Sequence, residues 1–435
     1  MKIYEQLKQQ LQGSFDITFT PLDYLELEVY LIFCNSLTSM DAISKLLQGF
    51  VMNERQLPLL VGSYQFVDTL SQAVDLILSG QSILIIDEKM IALETRNYPT
   101  RSLHAPENEK SIRGSSDAFN ENIITNVGLI RRRIRDDDLK VEMVKGGERS
   151  KTDIALCYLK KRVDVDVVDD LKHRIQNIGA EMIIDDRSLI RALYGRTLNP
   201  YPHVRYSERP DLCATHIIQG YCIVLVDNVP SGMIFPTTYF EQIQQVEEYT
   251  QTSLIAFLTK LTRLLAVICS IYLIPFWVMI TVTKNPTLMD IPIMEIKPFE
   301  FGFQLLFTEL VIEWIRQSLV HSPSILSSIM GFIVVFILGD LGIELGAYTK
   351  EILVMVALCN LGNFLTPSYE ISLANKLTRI VLTVLTLFFH VPGFCIGFVL
   401  HFIILTNTAT IKYPYLYPFI PFSWKEVKRI MGNDT

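Results

Sequence analysis

Three charges inside an apolar stretch are the residues of this 435-residue chain whose types and spacing best suit chemistry. They lie in 299–320, FEFGFQLLFTELVIEWIRQSLV. Glu309, Glu313 and Arg316 are spaced i, i+4, i+7, which places them on one face of a helix. The remaining surface of that helix is Phe, Leu, Val, Ile and Trp. Charge at membrane depth marks a functional path, and a ring of carboxylates in a pore favours cations. Two readings follow. The stretch is an amphipathic helix lying on a membrane surface, or it is a spanning helix whose polar stripe lines a pore or a seam with another subunit.

Enzymatic constellations are missing. There is no HExxH, no GxSxG and no Cys/His set at metal spacing. KGGERSKT (145–152) lacks the GxxxxGK[ST] spacing that cradles phosphates, so Gly146-Gly147 reads as a turn. No catalytic residue, cofactor or metal is expected. The seven histidines are dispersed; His390 and His401 are eleven apart in one apolar run, could share a helical face, and read as interior or interfacial hydrogen-bonders. The seven cysteines are scattered without a CxxC pair, which fits small buried residues in a reducing compartment. A net charge of -7 leaves no footprint for nucleic acid.

The elements that would hold the three charges emerge once the chain is divided. Overall it is 49% apolar and 20% charged, with a mean hydropathy of +0.29. Residues 254–435 carry only 12 of the 39 basic and 11 of the 46 acidic groups, so the acidic excess belongs to the first part. The run 264–283 is uncharged and long enough to cross a bilayer, with Pro275 as a tolerated kink. The uncharged runs 322–339 and 352–369 are just long enough. Residues 380–411 lack Lys, Arg, Asp and Glu, are too long for one straight crossing, and carry Pro392-Gly393 at their middle, so a broken helix or a tight hairpin is expected. If 299–320 spans and 380–411 folds back, the basic residues Lys260, Arg263, Arg316, Lys376, Arg379, Lys412, Lys425, Lys428 and Arg429 fall on the cytoplasmic side, and Lys284, Lys297 and Lys350 outside. That distribution obeys the positive-inside rule. The N-terminus lacks the apolar core of a signal peptide, which would keep the first 253 residues on the side of synthesis.

The soluble part repeats itself. LILSGQSILIID (76–87) and HIIQGYCIVLVD (216–227) align at a constant offset of 140 residues, matching Gly80 with Gly220 and Asp87 with Asp227. A strand-like run (27–33; 153–159) and a helix-like run (41–50; 167–178) precede each. A hairpin follows each, turning near Asp87-Glu88 and near Asp227-Asn228. The expected fold is α+β with a membrane part: two related N-terminal α/β soluble domains, about 1–100 and 110–250, then a polytopic α-helical membrane domain over 254–412 and a cytoplasmic tail over 413–435. The run Arg131-Arg132-Arg133 with Arg135 reads as a solvated helix end whose cations favour the helix dipole, ahead of contact with anionic lipid or a partner.

Five stretches in series resemble the GerA family of bacterial spore germination proteins: SIRGSSDAFNENIITNVGLIRRRIRDDDLKVE (111–142), GERSKTDIALCYL (147–159), NPYPHVRYSERPD (199–211), FPTTYFEQIQQVEEY (235–249) and LTPSYEISLANKLTR (365–379). The last holds the family motif Thr366, Pro367, Ser368, Tyr369, Glu370. The resemblance covers about 95–424. It implies a protein of the spore inner membrane that acts in germination, with its N-terminal domains on the core side. It further implies a homo-oligomeric ion channel or channel component that responds to or amplifies the germination signal beside a transporter-like B-type membrane subunit, with membrane lipid around it. The alternatives it leaves are a nutrient-receptor A-type subunit binding a small molecule through the soluble domains, and a non-conducting scaffold for germination partners.

Overall fold

The computed structural model describes residues 2–24, 27–52, 63–98, 115–245, 252–283, 298–320, 339, 342–408, 410–425 and 427. Two five-stranded sheets, antiparallel throughout, occupy the N-terminal half. The first contains β1 (Ile17–Tyr24), β2 (Leu27–Cys34), β3 (Tyr64–Val67), β4 (Ser82–Ile86) and β5 (Lys89–Leu93), in the order β1-β2-β4-β5-β3. The second contains β6 (Leu139–Gly146), β7 (Thr152–Leu159), β8 (Arg205–Ser207), β9 (Cys222–Val226) and β10 (Gly232–Phe235), in the order β6-β7-β9-β10-β8. Counted from its own first strand, each sheet has the same order. The strands at an offset of 140 residues, β4 and β9, hold equivalent places.

The two aligned glycines have one physical cause. Gly80 and Gly220 have φ of +93° and +96°, and a Cβ on either would sit 2.8 Å from a backbone oxygen, of Leu37 and of Arg162 respectively. Each ends a helix, α3 (Leu70–Leu78) or α7 (Pro210–Ile218), and turns the chain into a hairpin. The hairpins turn through positive φ at Asp87-Glu88 and at Asn228, a conformation that Asn and Asp tolerate.

Helices cover both faces of each sheet. In the first, Leu7, Val74 and Ile77 of α1 (Lys2–Leu11) and α3 pack on Ile32, Ile83 and Ile85, while Ile43 of α2 (Met40–Met52) joins Val29, Leu31 and Leu84 on the opposite face. The same period-2 division holds in the second sheet. Leu156 and Val224 face α5 (Val165–Gln176) and α6 (Asp186–Tyr194), whereas Ala155, Cys157 and Ile223 face α4 (Ile123–Arg133) and α7.

In the arginine run at the end of α4, Arg131 departs from expectation. Arg131 is fully buried and grips Asp16 with two bonds of 3.0 Å, Nε to Oδ2 and Nη2 to Oδ1, tying the first sheet to the second. Its Nη1 also donates to the carbonyl of Leu139 at 3.1 Å. Arg132 and Arg135 lie over the Tyr98 ring, and Arg133 pairs with Asp117 at 2.6 Å. Arg131 is thus a joint, while Arg132 and Arg135 stay exposed and Arg133 donates to the Leu129 carbonyl at 2.8 Å, as at a solvated helix end. Two thiols beside it, Cys34 and Cys157, are pushed up to about 12, chiefly by burial.

The C-terminal half is helical: α8 (Tyr239–Gln242), α9 (Ser253–Thr283), α10 (Pro298–Val320), α11 (Lys350–Phe364) and α12 (Tyr369–Thr406). Among the described residues two helices are long and apolar enough to cross a membrane, Leu254–Thr283 and Tyr369–Thr406. The expected run 322–339 lies outside the described residues except for its last position. The expected run 352–369 ends as a helix at Phe364, because Ser368 caps the next helix by accepting from the amide of Ile371.

The last helix is a hairpin. His390 has φ 55° and ψ -133°, and Pro392 follows it. A Cβ on Gly393 would lie 2.0 Å from the carbonyl oxygen of Leu385, so the returning arm presses on the outgoing one where only glycine fits. In one straight helix positions 375 and 401 would be roughly 39 Å apart, yet Tyr201 bonds side chains at both. The arms are 369–389 and 391–406, and His390 and His401 share no helical face.

Contacts fix the direction of the other helices. Phe301 meets Trp277 at 5.0 Å, and Arg379 bridges Ser270 and Glu309, so α10 runs antiparallel to α9. Cys359 reaches the carbonyl of Cys269 and Gly362 lies against that of Ala266, so α11 is antiparallel to α9 as well.

Candidate functional site

The polar face of α10 is buried against the first arm of α12. Glu309, 2% exposed, accepts from Nη2 of Arg379 at 2.8 Å, and Nζ of Lys376 lies 3.7 Å from the same carboxylate oxygen. Lys376 also donates to Glu313 at 2.9 Å and to the backbone carbonyl of Glu309 at 3.2 Å. Arg316 grips Glu313 with two bonds, 3.0 and 2.6 Å. Its guanidinium lies 5.0 Å above the ring of Tyr369. Arg379 is held by the carbonyl of Ser270 at 2.7 Å and by Asn360 at 3.3 Å. The three residues of the helical stripe therefore do come together, but in a cluster completed by two cations from α12. Two carboxylates face three cations, which leaves one positive charge.

Glu309 and Arg379 form its closed end; Glu313 and Arg316 form the half-buried edge. Desolvated charges survive only in such pairs. Oε1 of Glu309 and Nε of Arg379 find no protein partner, and buried atoms of this kind are ordinarily satisfied by water. The opposite, exposed side of α10 is apolar through Phe303, Phe307, Leu310 and Trp314.

Lys376 and Arg379 count as loop charges in the sequence reading. They are buried inside a helix instead. Their signal in the sequence is a spacing of i, i+3 at the mouth of the last uncharged run, which puts them on one face.

The family motif occupies the turn between α11 and α12. Thr366 is buried, Ser368 caps α12, Tyr369 lies under Arg316, and Glu370 stands in the first turn. Pro367, Ser368, Tyr369 and Glu370 line a cleft of about 390 Å³ together with Asp186, Tyr206 and Ser231 of the second sheet unit. Burial between Asp186 and Glu370 raises the Tyr206 hydroxyl above its ordinary value. Among the described residues no group of three or more His, Cys, Asp or Glu is placed to hold a metal.

A second polar assembly, absent from the sequence reading, joins the sheets to the hairpin. Tyr201 projects from the loop before β8 and bonds Asn375 (3.3 Å) and Thr378 (3.1 Å) on one arm and Nε2 of His401 (2.8 Å) on the other. Nδ1 of His401 meets the hydroxyl of Tyr272 on α9 at 2.6 Å. Asn199 donates to Thr408 at 2.8 Å, and the amide of Tyr239 to the carbonyl of Tyr415 at 2.9 Å. Burial raises the hydroxyls of Tyr201, Tyr239 and Tyr415 and keeps them neutral; those of Tyr201 and Tyr239 donate to Oδ1 of Asn375, and that of Tyr415 accepts from Nε2 of Gln242. Tyr201 belongs to NPYPH, one of the stretches that carried the resemblance.

Comparison with known proteins accounts for that series of stretches. The family described as Bacillus/Clostridium GerA spore germination protein matches residues 5–433. Stage V sporulation protein AF of Bacillus subtilis (strain 168) is 34% identical over 96% of this chain and 88% of its own length. Spore germination protein A1 of the same organism is 24% identical over 91% and 85%. A crystal structure of the N-terminal domain of the A subunit of the Bacillus megaterium spore germinant receptor GerK3 matches 53% of this chain and 91% of that domain, at 24% identity and a TM-score of 0.41. With its family matched across nearly the whole length, the chain belongs to the GerA family of spore germination proteins.

Proposed function

We propose that this protein is a multi-pass component of the spore (forespore) inner membrane that forms an oligomeric ion channel, or part of one, in germination. The observation that carries this reading is the charge cluster between α10 and α12, set in helices that are otherwise apolar. Charges at such depth are costly and are retained where they serve a path or a switch. The pairing narrows the roles. Glu309 holds α10 against the hairpin. Glu313 and Arg316, at the open edge, are the residues to line the path or the seam with a second copy. The opposed directions of α9 and α10, and of α9 and α11, support crossings at 264–283, 299–320, 322–339 and within 350–364, with the hairpin entering from the side of the sheets. On this reading the sheets lie on the core side, and the protein works beside a B-type partner.

Replacing Glu313 with Gln in full-length protein reconstituted in liposomes should lower cation efflux while the assembly keeps its size. Unchanged efflux from an intact assembly would remove Glu313 from the path.

The cleft at the family motif favours a second reading, an A-type receptor subunit that takes up a small molecule. Because Pro367–Glu370 form one wall, calorimetric titration with amino acids, sugars and nucleosides should give heat only with the full chain. Silence from the full chain counts against this reading.

A further inference from the structure

The segment after the hairpin presents a row of exposed large apolar side chains. Phe419, Ile420, Phe422 and Trp424 are 41 to 64% exposed, and Lys425 beside them is exposed too. Contiguous apolar surface of this kind marks an interaction site.

Its depth can be read from neighbouring contacts. Phe419 packs on Phe240 with ring centroids 4.5 Å apart. Phe240 belongs to the apolar cluster that runs along α9 from Leu264, where the uncharged run begins, to Tyr272. Arg263, immediately before that run, is tied to the carbonyl of Ile243 at 3.1 Å and to Gln245 at 2.7 Å. Phe419 therefore stands level with the end of the crossing that faces the sheets.

The backbone of 415–422 is a series of turns, not a helix. The amides of Tyr417, Phe419 and Ile420 bond to the carbonyls of Pro414 and Leu416, but turns lack the continuous i→i−4 ladder that lets a segment cross hydrocarbon, while these side chains are too apolar for water. The headgroup layer satisfies both. Aromatic rings concentrate there, and basic residues beside them attract anionic lipid. Lys425 is followed in the sequence by Lys428 and Arg429.

We infer that residues 417–425 are an interfacial anchor that docks in the headgroup layer of an anionic bilayer on the side of the sheets. This rests on the membrane reading above and adds a contact to it: the segment is part of the membrane-bound surface, not a free tail.

The chain's three tryptophans allow a test that separates the two ideas. Full-length protein is reconstituted in phosphatidylglycerol–phosphatidylcholine vesicles whose acyl chains carry bromine near the glycerol end or near the methyl end. One variant, Trp277→Phe with Trp314→Phe, keeps Trp424; a second, Trp277→Phe with Trp424→Phe, keeps Trp314 on the exposed face of α10. If Trp277→Phe disturbs folding, Trp424→Phe alone is subtracted from the parent. Trp424 should emit to the blue of water-exposed indole and lose more intensity to the shallow bromine than to the deep one. Quenching by aqueous iodide instead, or protection from both lipid and water, would overturn the anchor. Quenching of Trp314 but not Trp424 would reject the anchor alone; absence of quenching at both would reject the membrane reading itself.

Discussion

Glu309 and Arg379 show how far residue types lead and where they stop. Spacing alone puts Glu309, Glu313 and Arg316 on one side of a helix. It is silent about what faces the two carboxylates, because Lys376 and Arg379 lie more than sixty residues further along the chain. His216 is a simpler case at this scale. It is fully buried on α7 with Nδ1 at 2.9 Å from the Leu212 carbonyl, and burial lowers its pKa to about 3. The folded protein keeps this ring neutral where the unfolded chain, with a pKa of 6.5, takes up a proton. Its contribution to stability is therefore complete above pH 6.5 and falls by about 1.4 kcal/mol per pH unit as the pH drops towards 3. His216→Gln should flatten thermal stability against pH over that window by one proton's worth. An unchanged slope in differential scanning calorimetry would show that the ring titrates normally.

Elements were legible where a local period set them. The strands at 27–34 and 152–159, the two hairpins and the helix through 264–283 all follow from patterns within a dozen or so residues. The hairpin at 380–411 was open between a broken helix and a fold-back. Pro392 and the length of the run announced a break, but its angle depends on Gly393 meeting Leu385 and on Tyr201 binding both arms. His390 at the tip has a φ/ψ pair that favours glycine, so His390→Gly should stabilise the hairpin by about 1–3 kcal/mol. The melting temperature in detergent should rise, and His390→Ala should leave it near the parent's. A fall with His390→Gly would mean that the imidazole holds the tip through contacts of its own.

At the scale of the whole molecule, two polar joints reinforce the apolar contacts between the parts. Arg131 and Asp16 lock the two sheets together; Tyr201 and His401 lock the second sheet unit to the hairpin. Breaking a buried ion pair costs roughly 3–5 kcal/mol because one charge is left stranded. Arg131→Ala should therefore loosen the first sheet ahead of the second. Hydrogen exchange should lose protection in β1 and β2 while β7 and β9 keep theirs. Equal loss in both sheets would mean that they unfold as one unit and that Arg131 is no joint between them.

The sequence by itself determined the family, the apolar character of the second half, the repeated strand–helix pattern of the first and the residues where charge and hydrocarbon meet. All of these are local or compositional, so they need no knowledge of what lies opposite. Tertiary structure decided the rest. It turned one arginine of a solvent-facing helix end, Arg131, into a buried clasp, moved Lys376 and Arg379 from loops to the interior, and completed a three-residue stripe as a five-residue cluster. The physical reason is the same in each case. A buried charge is stable only with its counter-charge, and which residue supplies it depends on how distant segments pack.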